Sequence, residues 1–434
     1  MISQKMDRSI DLKGIKKIFP GSLFWRTAFV LLLLLIQTSL LAREKVIAIK
    51  AGRIQTAVKG EIENGIILVK DDKIAEIGPQ VAIPSDAEII DFQDKFIMPG
   101  IVSPDSRLGI PEPSAVPTDF FRGGELAGKN LAYYPVLYSI YPEHPDYALA
   151  LKNGFTTFGI SPPPAGISGL GTIIKPQGET LKDILIKDKA FLKINVYVHT
   201  PFWSMLKGAL DEAKKTLEDQ KKKTEEKAKK EKEKKKKEDR GKAKEEKEEP
   251  TISESAKVFM EVVEGKIPIL AECDSPDAVS HLLELLANYP NVKLVIRGGA
   301  EAYKAGSLLK EKNISIILEP TFAVKQDFYT PYRERTNYVL KCQALDLKIA
   351  FQAPGTINEQ VHLLDYLNEL YQFGIKKDVL FKGVTLVPAQ LLGIDNLVGS
   401  LEKGKKADMI VLKNDPLENT PSIEKVILGG RFVR

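Results

Sequence analysis

The feature that most constrains this chain is a repeat. From about residue 99 to 385, β-rich apolar runs alternate with helical periods. The spacing predicts strands near 101–102, 156–160, 192–198, 267–271, 293–296, 315–318 and 348–351. Helices are expected near 277–287, 300–311 and 358–372. Repeated β-then-α units point to a parallel sheet covered by helices, so the α/β core is either a closed barrel or a doubly wound sheet. Short strands are expected on both flanks, over 45–98 and again over 395–434, with Asp71-Asp72 and Gly429-Gly430 as turns.

One segment breaks the repeat. Residues 214–249 hold 17 Lys/Arg and 12 Asp/Glu, with only Leu217, Ala228 and Ala243 as apolar residues. Without an apolar stripe this is neither a core helix nor a coiled coil. The region 211–250 is expected to be a charged insertion within the repeat, a solvated helical arm or a disordered one. Because it follows the fourth strand, it is expected to leave from the face where the strands end. Its net charge of +5 equals that of all 434 residues. The first 42 residues add +4, so the remaining body is mildly acidic and gives no argument for nucleic acid.

Residues 1–42 read as a signal peptide or N-terminal anchor. Lys5, Arg8, Lys13, Lys16, Lys17 and Arg26 precede an apolar run over 28–36, and small Ala42 stands before Arg43. Only 16 residues separate Arg26 from Arg43, short of the ~20 of a spanning helix. The expected location is exported, periplasmic or extracellular, with membrane anchoring as the alternative. Cys273 and Cys342 are too few for a disulfide framework and read as two buried thiols.

Several phrases resemble one family. Phe96-Ile97-Met98-Pro99-Gly100-Ile101-Val102 is similar to the phrase that leads into the barrel of amidohydrolase-superfamily proteins. Val387-Pro388-Ala389-Gln390-Leu391-Leu392-Gly393, then Gly399-Ser400-Leu401-Glu402-Lys403-Gly404-Lys405-Lys406-Ala407-Asp408-Met409-Ile410-Val411, is similar to their closing phrase. Asn414-Asp415-Pro416-Leu417 and Asn153-Gly154-Phe155-Thr156-Thr157 extend the likeness, closest to the exported imidazolonepropionase-like branch. The resemblance implies a (β/α)8 TIM-type barrel over 99–390. It also implies a small composite β-sandwich built from both chain ends, 45–98 with 395–434.

The resemblance further implies divalent metal at the barrel mouth, where a metal-bound hydroxide attacks a C–N carbonyl. Its ligands would be His-x-His on the first strand, His on the fifth and sixth, and Asp on the eighth, with a bridging carboxylated Lys on the fourth in some members. This sequence departs from that pattern. The His-x-His positions hold Asp105 and Arg107. The fifth-strand phrase runs into Glu272, Cys273 and Asp274. Gly298 stands where the sixth strand would supply His, and Ala353 or Pro354 where the eighth would supply Asp. Lys193 matches the bridging Lys without its partners. Arg107 donates only and stays cationic, so it repels a metal. The expectation is that Asp105, Glu272 and Asp274 bind Arg107 instead.

Of the four histidines, His281 and His362 read as helix-surface or core-edge residues, His144 as a loop residue, and His199 as a candidate at the mouth. No Ser-His-Asp or Cys-His motif and no phosphate-binding Gly loop is present. The reading is a protein with degenerate metal motifs that needs no cofactor and acts by binding a small molecule or protein, or by assembly, as a homo-oligomer or with an active homologue. The alternative is a C–N hydrolase with an altered, oxygen-rich site, which would take a divalent metal.

Overall fold

The structure, a computed structural model, describes residues 46–110, 129–196, 200–234, 252–273, 275–298, 302–319, 332–352 and 357–433. Two sheets organise it. The first joins β1 (Val46–Gln55), β2 (Glu61–Lys70), β3 (Lys73–Gly78) and β4 (Glu88–Pro99) to β13 (Met409–Leu412), β14 (Ile423–Leu428) and β15 (Arg431–Phe432). Its order is β15-β14-β13-β4-β1-β2-β3. The two ends of the sequence therefore meet at β4, which pairs β1 in parallel and β13 antiparallel.

The family-like phrases are the fastenings of this junction. Gly100 separates β4 from the next strand, and a Cβ there would lie 2.2 Å from Thr156 Oγ1. Only glycine fits. The Gly100 N–H donates to the Asp408 carbonyl at 3.1 Å. The Asp408 carboxylate accepts from Lys175 Nζ at 2.7 and 3.0 Å and from the Gly429 N–H at 2.7 Å. Asp415 has a fully buried carboxylate that accepts from Lys377 Nζ at 2.9 Å and Arg53 Nη2 at 3.3 Å. A buried carboxylate is stable only with such partners.

The second sheet holds eight strands in chain order. They are β5 (Ile101–Ser106), β6 (Phe155–Ile160), β7 (Ile167–Ile174), β8 (Leu185–Asn195), β9 (Ile269–Cys273), β10 (Leu294–Gly298), β11 (Ser315–Leu318) and β12 (Ile349–Phe351). The fold is thus mixed α/β with an eight-stranded, nearly closed barrel. It departs from eight parallel strands at β7, which runs antiparallel to both neighbours. Only residues 161–166 join β6 to β7, too few for the crossover a parallel neighbour requires. The sequence pattern predicted no strand over β7, where Gly169 and Gly171 interrupt the apolar run. They are there for close approach: a Cβ on Gly169, at φ +124°, would lie 2.5 Å from the Tyr134 carbonyl.

The helices of six residues or more among the described residues are α1 (Asp146–Lys152), α2 (Thr200–Lys234), α3 (Glu254–Val263), α4 (Pro276–Leu286), α5 (Gly306–Glu311), α6 (Tyr332–Ala344), α7 (Leu363–Gln372), α8 (Lys377–Val384) and α9 (Leu386–Leu391). Strand residues alternate between two cores, as the period of two requires. Ile269, Ala271 and Ile296 pack toward the helices. Leu270, Val295, Ile317 and Ala350 form a second apolar cluster with Val102 and Phe191. Among the described residues, no helix is long and apolar enough to cross a membrane.

Candidate functional site

Two residues beyond five members of that second cluster, on the same face of the strand, stands a polar side chain. Phe191 is followed by Lys193, Leu270 by Glu272, Val295 by Arg297, Ile317 by Glu319 and Ala350 by Gln352. All five lie at the ends of β8 to β12, the end at which barrel sites form. Asp105 near the end of β5 completes the ring.

The ring is knitted by ion pairs. Lys193 Nζ donates to Asp105 Oδ2 at 2.7 Å and lies 3.0 Å from Glu272 Oε2. Arg297 Nη1 donates to Asp105 Oδ2 at 3.1 Å and to Glu272 Oε2 at 3.0 Å, while Nη2 binds Glu319 Oε1. Ser161 Oγ hydrogen-bonds the other Asp105 oxygen. There are two tiers: the Asp105 and Lys193 side chains are 2% and 4% exposed, whereas those of Arg297, Glu319 and Glu272 are 24%, 29% and 37% exposed. Burial by itself pushes the Asp105 carboxyl up, but Lys193 and Arg297 outweigh it and hold that carboxyl well below the usual range. Glu272 is lowered by the same two cations against burial. Burial disfavours the Arg297 charge, and the three carboxylates more than restore it.

Gln352 has a different task. Among the described residues, no ladder joins β12 to β5. Gln352 Oε1 accepts from the Asp105 N–H at 3.1 Å and from Ser103 Oγ at 3.0 Å. A side-chain carbonyl thereby spans the gap in the sheet.

The expected site is brought together in part. Asp105, Glu272 and Lys193 meet. Arg107 does not join them: β5 ends at Ser106 and the Arg107 side chain is exposed. The guanidinium that pairs with the carboxylates belongs to Arg297. Gly298 ends β10 beside Cys273, and the residue that faces the ring is its predecessor, because Arg297 shares the face of Val295. Gln352 is the described eighth-strand residue in the ring. Ala353, Pro354, Asp274 and His199 lie outside the described residues. His281 is exposed on α4, as expected, whereas His362 is exposed in the turn that precedes α7. Glu319, Ser161 and Gln352 were missed, although for Glu319 and Gln352 the two-residue step from an apolar strand position was a readable signal.

The residues present do not fit a divalent metal. Asp105 Oδ2 and Glu272 Oε2 each already face two cationic donors. A divalent ion about 4 Å from one such cation, at an effective dielectric of about 20, is repelled by roughly 8 kcal/mol. Among the described residues, no group of three or more His, Cys, Asp or Glu is placed to hold a metal.

Residues 353–433 match the amidohydrolase family. An amidohydrolase from Thermotoga maritima MSB8 has a similar structure, with TM-score 0.72 and 23% identity over 89% of this chain and 99% of that one. Molinate hydrolase gives TM-score 0.55 at 13% identity, covering 90% of this chain and 95% of its own. Phenylurea hydrolase B gives 0.53 at 15%, covering 90% and 97%. No curated protein matches in sequence. The resemblance to the amidohydrolase superfamily is thus borne out, by sequence in the C-terminal segment and by fold over most of the chain.

Proposed function

We propose that this chain is a non-catalytic amidohydrolase-fold protein. It acts by binding a small molecule or protein partner, or by assembly, and not by metal-dependent C–N hydrolysis. One observation carries the reading: Lys193 and Arg297 stand among the carboxylates of the barrel mouth and satisfy them. A catalytic metal keeps about three protein ligands and an open position for water. Here the corresponding carboxylates are committed to fixed cations, which supply no ionisable water. The N-terminal pattern over 1–42 supports an exported location, and those residues lie outside the described ones.

The test is an activity assay of the full chain with zinc, manganese or cobalt added. A panel of dipeptides, N-acyl amino acids and aryl ureas samples C–N bonds of different leaving groups. The expected result is no turnover above buffer with any metal. Turnover that requires metal and disappears in Asp105→Asn would overturn the proposal.

A further inference from the structure

Helix α2 is 35 residues long and changes character along its length. Phe202, Leu206, Leu210 and Ala213 are buried against the barrel. Asp211 Oδ1 accepts from Tyr289 Oη at 2.6 Å, and Lys214 Nζ donates to the Asn288 carbonyl at 3.3 Å. Asn288 and Tyr289 follow α4 and precede β10, so they lie where the strands begin. Helix α2 has therefore crossed the barrel from the mouth side by Lys214, and its continuation leaves from the opposite face. The expectation that the charged insertion departs from the mouth is corrected: the helix runs antiparallel to β8, as a crossover helix must.

From Glu218 to Glu226 every residue is exposed, and the backbone stays helical to Lys234. Seventeen residues of helix span about 25 Å. Glu218 precedes Lys222 by four, and the same spacing relates Asp219 to Lys223, Glu225 to Lys229 and Glu226 to Lys230. Acid before base at this spacing is the favourable orientation. Between Glu218 and Lys234 stand eight Lys and six Asp/Glu. A surplus of two charges spread over that length is too small for an adhesive basic patch, whereas the pairing order suits a helix that stands without a packed face.

We propose that α2 beyond Lys214 is a self-supporting strut, a rigid spacer whose stiffness comes from its own ladder of charge pairs. It holds whatever follows Lys234 away from the face opposite the mouth. The inference is independent of whether the mouth is catalytic.

Spin labels at Thr216→Cys and Lys234→Cys in the full chain test it, since native Cys273 and Cys342 are buried. The expected outcome is a single narrow distance distribution, with backbone positions about 27 Å apart. A broad or much shorter distribution would overturn the strut. Glu225→Lys with Glu226→Lys replaces two acid–base neighbours by like charges. This variant should broaden the distribution while the thermal midpoint of the barrel stays put. A distribution that remains narrow in that variant would overturn the assignment of stiffness to the charge ladder.

Discussion

One nitrogen of Arg297, Nη1, lies 3.1 Å from Asp105 Oδ2 and 3.0 Å from Glu272 Oε2, and so joins the ends of β5, β9 and β10. Removing one partner of a buried ionic network is costly because the others are left uncompensated. Arg297→Met is expected to lower stability by about 3 kcal/mol or more, read from urea denaturation. Arg107→Ala is expected to leave the midpoint unchanged, since the Arg107 side chain is exposed. Equal effects of the two would contradict the assignment of the pairing guanidinium.

Lys193 and Asp105 form the inner tier and should be strongly coupled. Lys193→Met leaves Asp105 and Glu272 facing each other with less compensation, and Asp105→Asn leaves an excess of positive charge. The double variant restores part of the balance. A double-mutant cycle should therefore show non-additivity of about 1–3 kcal/mol, the double being less destabilised than the sum of the singles. Additive losses would show that the two side chains do not interact.

Acid should weaken this protein through the same ring. The Asp105 and Glu272 carboxyls are held below their ordinary values of 3.8 and 4.5. A depressed folded pKa contributes stability that is fully present above the unfolded value and lost as pH falls toward the folded one. Unfolding free energy is thus expected to be flat from neutral pH to about pH 5 and to fall below that. Asp105→Asn should make the fall shallower. An unchanged slope in that variant would remove Asp105 from the account.

Asp415 offers a control away from the mouth. Its carboxylate is fully buried between Lys377 of α8 and Arg53 of β1. Asp415→Ala is expected to destabilise by about 3–5 kcal/mol without altering anything that binds at the mouth. Thermal melting of this variant, compared with Arg297→Met, separates the junction of sheet and barrel from the ring.

Much of the architecture was legible because it follows from period and phrase. The β-then-α repeat gave a helix-covered sheet, and the resemblance carried by the phrases around Gly100, Asp408 and Asp415 implied its closure into a barrel; those residues are fixed by close approach or buried charge. The ring was legible only in part. Asp105, Glu272 and Lys193 were found by aligning positions with the family's ligands. The ring residues of the sixth and eighth strands, Arg297 and Gln352, stand one position before the aligned Gly298 and Ala353. The alignment also chose Arg107 over Arg297, because it matched motif positions without asking which face of each strand they occupy. Tracking the apolar residue two positions earlier points to Arg297 and Gln352 directly. Ser161 carries no such mark, as its role depends on where β6 ends relative to Asp105. β7 was hidden by glycines whose purpose is contact with residues distant in sequence.

Metal content tests the central claim most directly. The full chain would be produced in medium supplemented with zinc, iron and manganese, purified without chelator, and its bound metal measured per polypeptide. If Lys193 and Arg297 stand in the metal's place, metal will be far below one equivalent, and the Arg297 and Lys193 variants will be the ones that lose stability. One or two equivalents of tightly held metal per chain, released only with loss of the fold or of a hydrolytic activity, would contradict it.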